Sequence, residues 1–79
     1  MSVYVGEPVW PYGRMKMCHM MADTLDELHA MADRIGVDRK HYQDHTKYKH
    51  YDIAKSKRRL AVEAGAIEVT DRELIARFR

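Results

Sequence analysis

Two tetrads constrain this chain more than any other feature: Thr24-Leu25-Asp26-Glu27 and Thr70-Asp71-Arg72-Glu73. Each sets a glutamate three residues after a threonine. In such a capping box the Thr hydroxyl accepts from the Glu N–H, and the Glu carboxylate reaches back to the Thr N–H. Each tetrad therefore marks a helix start. After the first, Leu25, Leu28, Ala32 and Ile35 fall on one helical face and Gly36 offers a left-handed stop, so a helix is predicted over 24–35. After the second, Leu74, Ile75 and Phe78 predict a terminal helix, with Arg77 and Arg79 suiting its C-terminal dipole.

The segments between fill in around these two helices. Ser2-Val3-Tyr4-Val5 reads as a strand ending at Gly6. Residues 7–13 hold Pro8, Pro11 and Gly13 and read as a loop, with Trp10 and Tyr12 as packing anchors. Residues 15–22 read as a strand with Met15, Met17, His19 and Met21 on one face. The polar stretch 37–49 reads as a loop, and 50–53 as a short strand. A second helix is predicted over 55–64, with Leu60, Ala61 and Ala64 inward and Gly65 as its stop. Residues 66–69 form a strand with Ile67 and Val69 buried and Glu68 outward. The order β-β-α-β-α-β-α, about four short strands and three helices, describes one small domain over 1–79, of α/β or α+β class and at most three layers.

A single cysteine excludes an internal disulfide. The stabilisers left to so short a chain are a metal, a well-packed core or a partner subunit, so a homodimer is one expected route. No apolar stretch is long enough to cross a membrane, and no basic segment leads into an apolar one at the start. The expectation is a cytoplasmic protein with no membrane partner.

The net charge of +2 conceals an asymmetry. Residues 1–38 carry three bases and six acids, whereas 39–59 carry eight bases against Asp44 and Asp52 alone. Lys40, Lys47 and Lys49 interleave there with Tyr42, Tyr48 and Tyr51, the combination of phosphate-contacting cations and stacking rings that single-stranded nucleic acid requires. A solvated basic face accounts for the same residues.

Several segments in combination are distinctive: Val3-Tyr4-Val5, Gly13-Arg14-Met15-Lys16-Met17-Cys18-His19-Met20, Asp26-Glu27-Leu28-His29-Ala30-Met31-Ala32 with Ile35-Gly36, and His50-Tyr51-Asp52-Ile53 followed by Ser56-Lys57-Arg58 and Ala64-Gly65-Ala66. Over nearly its whole length the chain resembles the small bacterial and bacteriophage proteins grouped as domain of unknown function 4031. The resemblance implies a phage or bacterial cytoplasmic origin and no established activity. Its pattern carries an aspartate directly after the first strand, where this chain has Gly6.

Two clusters are candidates for chemistry. Lys55, Ser56, Lys57, Arg58 and Arg59 open the second predicted helix, where acids are the usual choice; an anion held by the Ser56 hydroxyl and these cations would offset the cost. If the cations merely extend into water, removing Lys57 or Arg58 alters stability by about a few tenths of a kcal/mol. The second cluster is His19, Asp23, His50 and Asp52, a donor set for a divalent metal; on a strand His50 and Asp52 share a side. His41 and His45 chelate only if their segment is helical; none of this matches a tight motif, and ordinary structural or surface histidines account for these positions more simply. Cys18 among Met15, Met17, Met20 and Met21 offers soft donors, read more simply as a methionine-rich core strand. There is no Gly-rich phosphate loop and no Cys-x-x-Cys pair, so nucleotide-hydrolase and zinc-ribbon readings find no support. No cofactor is expected.

The leading reading is a non-enzymatic accessory protein that binds nucleic acid or another polyanion through Lys47, Lys49, His50, Tyr51, Ser56, Lys57, Arg58 and Arg59. Its alternatives are a module docking on an acidic partner protein, and a metal-dependent hydrolase or nuclease built on His19, Asp23, His50 and Asp52.

Overall fold

One long strand organises the computed structural model, which describes residues 2–8, 10–12, 15–43 and 49–78. This strand, β3 (Met15–Ala22), pairs antiparallel with β1 (Val3–Val5), β2 (Trp10–Tyr12) and β5 (His50–Ala54). Outside β5 lies β4 (Tyr42–Gln43), antiparallel; outside β1 lies β6 (Ile67–Glu68), parallel. The strand order is β4-β5-β3-β1-β6, with β2 also on β3. Three helices, α1 (Leu25–Ile35), α2 (Lys55–Glu63) and α3 (Asp71–Phe78), complete a small α+β domain.

Alternation along β3 creates two apolar layers. Cys18 and Met20 join Val3, Val5, Tyr51 and Ile53 under α1 and α2, which contribute Leu28, Ala32, Ile35 and Ala61. Tyr4 and Met21 point the other way and meet Leu74 of α3. The sheet is thus the middle of three layers. The methionine-rich strand is core: Cys18 and Met20 are wholly buried.

Both capping boxes form, with one difference. At α3 the exchange is reciprocal: Glu73 N–H donates to the Thr70 hydroxyl at 3.1 Å and Thr70 N–H donates to the Glu73 carboxylate at 3.0 Å. These bonds hold the Glu73 carboxyl below its ordinary range. At α1 the Glu27 N–H donates to Thr24 Oγ1, but the Glu27 carboxylate accepts from the Thr24 hydroxyl instead of the backbone. Gly36 ends α1 at φ 79°, the left-handed conformation that its missing Cβ permits.

Four local expectations need correction. Residues Trp10–Tyr12 form β2 where a loop was expected, because the exposed edge of β3 accepts their backbone. Within 37–49, Arg39–His41 form a short helical turn, started by Asp38 accepting from Lys40 N–H at 2.9 Å, and lead into β4. Leu60 is 44% exposed, since α2 approaches the sheet through the small Ala61 next to it. Ile67 is also 44% exposed, because β6 is a two-residue edge strand. The expected anchoring by Trp10, Tyr12 and Phe78 concerns side chains outside those described, as do Asp44, His45, Lys47 and Tyr48. Among the described residues, no helix is long and apolar enough to cross a membrane.

Burial pushes the Cys18 thiol up to about 12 from an ordinary value of 9.0. A thiol-specific disulfide reagent is therefore expected to leave Cys18 unmodified at neutral pH until urea unfolds the chain. Because the folded value is raised, the associated stability is complete below pH 9 and is lost as pH climbs towards 12. Urea midpoints measured from neutral to alkaline pH should fall accordingly.

Candidate metal centre

The β3–β5 ladder sets His19 directly opposite Asp52. His50 lies two residues before Asp52 on β5, so the pleat turns both to the same side. All three point away from the face that buries Cys18, Met20, Tyr51 and Ile53. The site thus stands on two hydrogen-bonded strands whose opposite face is core, a rigid base for side chains that must hold a fixed geometry.

The three side chains converge on one oxygen. His19 Nδ1 is hydrogen bonded to Asp52 Oδ1 at 2.7 Å, and His50 Nε2 lies 3.2 Å from the same oxygen. The two imidazoles meet edge to face with centroids 4.7 Å apart. One donor atom from each residue lies within 4.8 Å of the other two. Ligands about 2.0–2.1 Å from a tetrahedral ion stand about 3.3 Å from one another, a spacing comparable to the 2.7 Å and 3.2 Å separations found here. Exposure rises across the cluster, from 11% for the His50 side chain to 25% for His19 and 40% for Asp52. It is closed at its histidines and open at its carboxylate.

Asp23 does not join them. It lies four residues beyond His19 on the chain, just past the end of β3, and accepts from Ser2 N–H at 2.9 Å and from Arg77 at 3.4 Å. The Arg77 guanidinium also lies 4.4 Å over the Tyr4 ring. Asp23 therefore fastens α3 to the start of β1, and the four-residue metal set becomes three. His41 is exposed on the turn before β4, while His45 lies outside the described residues.

The proposed polyanion residues separate. His50 is 8% exposed and Tyr51 is wholly buried, its hydroxyl 2.7 Å from His29 Nδ1, so Tyr51 offers no face to a base. Lys49, Ser56 and Arg59 are exposed, and Arg59 lies 3.4 Å from Glu63. Lys47 lies outside the described residues. The Lys57 ammonium is close to Gly36, at the negative end of the α1 dipole. That location offsets its position in the first turn of α2 without any bound anion.

Arg58 is the largest departure. Its side chain is only 16% exposed; Nε donates to the Gly6 carbonyl at 2.8 Å and Nη1 to Glu68 at 2.9 Å. It ties α2 to the end of β1 and to β6. Arg58→Ala is therefore expected to cost about 1–3 kcal/mol, read from urea unfolding, in place of the few tenths expected of a solvated cation. Gly6 itself is buried and donates its N–H to the His19 carbonyl at 2.9 Å. A Cβ there would overlap Asp71 Oδ1, which accepts from Glu7 N–H. An aspartate at position 6 would require Asp71 to move.

Sequence reading identified the His50–Asp52 pair through its spacing. It overlooked Asp38 and Val37, which with Met17, Lys40, His41 and Lys57 surround an open cleft bordering Asp52. The three bases were visible only as part of a long basic run.

The family model described as protein of unknown function (DUF4031) matches residues 3–79. No curated protein and no solved structure matches the chain.

Proposed function

The chain belongs to the family of proteins of unknown function DUF4031, a membership that assigns no chemistry, and from the geometry of its histidine–aspartate cluster we propose that it is a metal-dependent hydrolase. One observation carries this reading: donor atoms of His19, His50 and Asp52 converge within 4.8 Å on adjacent strands. Two imidazoles and one carboxylate suit zinc and its divalent neighbours. Three protein ligands leave a coordination position open, as hydrolytic sites require and fully ligated structural sites do not. The exposed side at Asp52 gives that position access to solvent and substrate.

The chemistry follows from the ion's charge. A divalent ion held here would lower the pKa of a bound water and polarise the bond under attack. Hydrolysis would then join the water oxygen to the electrophilic carbon or phosphorus, break the ester bond and leave the water's proton on the leaving oxygen. His19 and His50 would hold the ion from the less exposed side, and Asp52 would hold it at the open side and partly neutralise it.

The test is hydrolysis of chromogenic p-nitrophenyl esters, an acetate, a phosphomonoester and a phosphodiester, by metal-free and Zn²⁺- or Mn²⁺-loaded protein. Nitrophenol release is expected from at least one ester with metal only. It should disappear in Asp52→Ala and persist in Asp23→Ala. Release that is indifferent to metal or to Asp52, or its absence with every ester, contradicts the proposal.

A further inference from the structure

Beside the metal cluster lies an open cleft of about 400 Å³, lined by residues from the end of α1, the turn before β4, β3, β5 and α2. Its lining has two characters. Met17, Val37, Ile53 and Ala54 supply an apolar part; Lys40, His41 and Lys57 supply cations or potential cations. Asp52, the open-side residue of the cluster, also lines this cleft, so the cleft and the cluster share that residue, while His19 and His50 are not among the lining residues. From this juxtaposition we infer that the substrate is a nucleotide-sized phosphate ester, its phosphate among the metal, Lys40 and Lys57 and its base against Met17, Val37 and Ala54. The inference rests on the metal-dependent reading and supplies its substrate class.

Three arguments select this class. The volume suits one nucleotide unit and falls at the low end for small-molecule pockets. The apolar lining disfavours a bare sugar phosphate and suits a planar ring, for which the Met17 thioether is a favourable neighbour. The charge decides the rest. Without metal, Lys40 and Lys57 balance Asp38 and Asp52, and an anion gains little. A divalent ion on Asp52 makes the cleft net positive, so phosphate binding becomes conditional on metal. Asp38 is already engaged, accepting from Lys40 N–H, and Lys57 is already held beside Gly36.

Calorimetric titration of metal-free and Zn²⁺-loaded protein tests this, with thymidine 5′-monophosphate, thymidine and a 5′-phosphorylated thymidine oligomer as probes. The monophosphate is expected to bind the loaded protein at least about tenfold more tightly than thymidine does, and more tightly than it binds the metal-free form. Lys40→Ala with Lys57→Gln should weaken that binding about tenfold and leave zinc affinity unchanged; thermal melts verify that the double variant is folded. An oligomer that binds as well as the monophosphate identifies a strand end as the source of the phosphate, whereas preference for the monomer identifies a free nucleotide. Normal zinc loading without any advantage of the monophosphate over thymidine overturns the substrate class and leaves the metal centre standing. Failure to load zinc, by contrast, overturns the centre itself.

Discussion

Tyr51→Ala is expected to remove a large part of the folding stability, about 3–5 kcal/mol. Among the described residues Tyr51 is the largest fully buried side chain, and it lies on β5 between His50 and Asp52. Its ring packs with Tyr42 and His29, and its hydroxyl is hydrogen bonded to His29. Truncating a buried aromatic costs about 3–5 kcal/mol. A chain of 79 residues has about 4–12 kcal/mol in total at about 0.05–0.15 kcal/mol per residue. Circular dichroism in urea should show a midpoint far below that of the wild type. Tyr51→Phe keeps the ring but removes the partner of His29, and is expected to cost about 1–2 kcal/mol. An equal cost for the two variants would mean that the hydroxyl, and not the packing, holds β5 in place.

The second large effect concerns metal affinity. Losing a partner that merely orients a ligand costs about 10–100-fold, and losing a ligand costs more. His19→Ala, His50→Ala and Asp52→Ala should each weaken zinc binding by more than about a hundredfold in competition with a chromogenic chelator. Asp23→Ala, which loosens α3 from β1, should leave the affinity unaltered. Asp52→Asn keeps the shape and removes the charge. It should fall between the wild type and Asp52→Ala.

Local signals carried much of the fold. The Thr24 and Thr70 boxes announced α1 and α3, and Gly36 marked the end of α1. These are contacts within one turn, so four or five residues contain all that is needed. The α+β class and the β3 alternation were legible for the same reason. What stayed hidden depends on partners distant in sequence. Residues Trp10–Tyr12 become a strand only because an edge of β3 is available. Arg58 reads as one of a run of cations, and its role depends on Gly6, 52 residues away.

The site divides in the same manner. His50 and Asp52 share a face by the period of a strand, which spacing reveals. That His19 stands opposite Asp52 is a matter of register, which no local signal specifies. Asp23 fits the donor chemistry equally well on paper, but it lies beyond the end of β3 and faces Ser2 and Arg77. The basic run promised one continuous surface. Strand alternation divides it, turning Tyr51 into the core and His50 towards the cluster and leaving Lys49 exposed.

The most direct measurement of the central claim is X-ray absorption at the zinc edge of loaded wild-type protein and of His50→Ala. The account predicts one bound ion per chain with nitrogen and oxygen neighbours at about 2.0–2.1 Å, the multiple-scattering signature of two imidazoles, and loss of one imidazole in the variant. A wild-type spectrum without imidazole scattering, or one identical in His50→Ala, would contradict it.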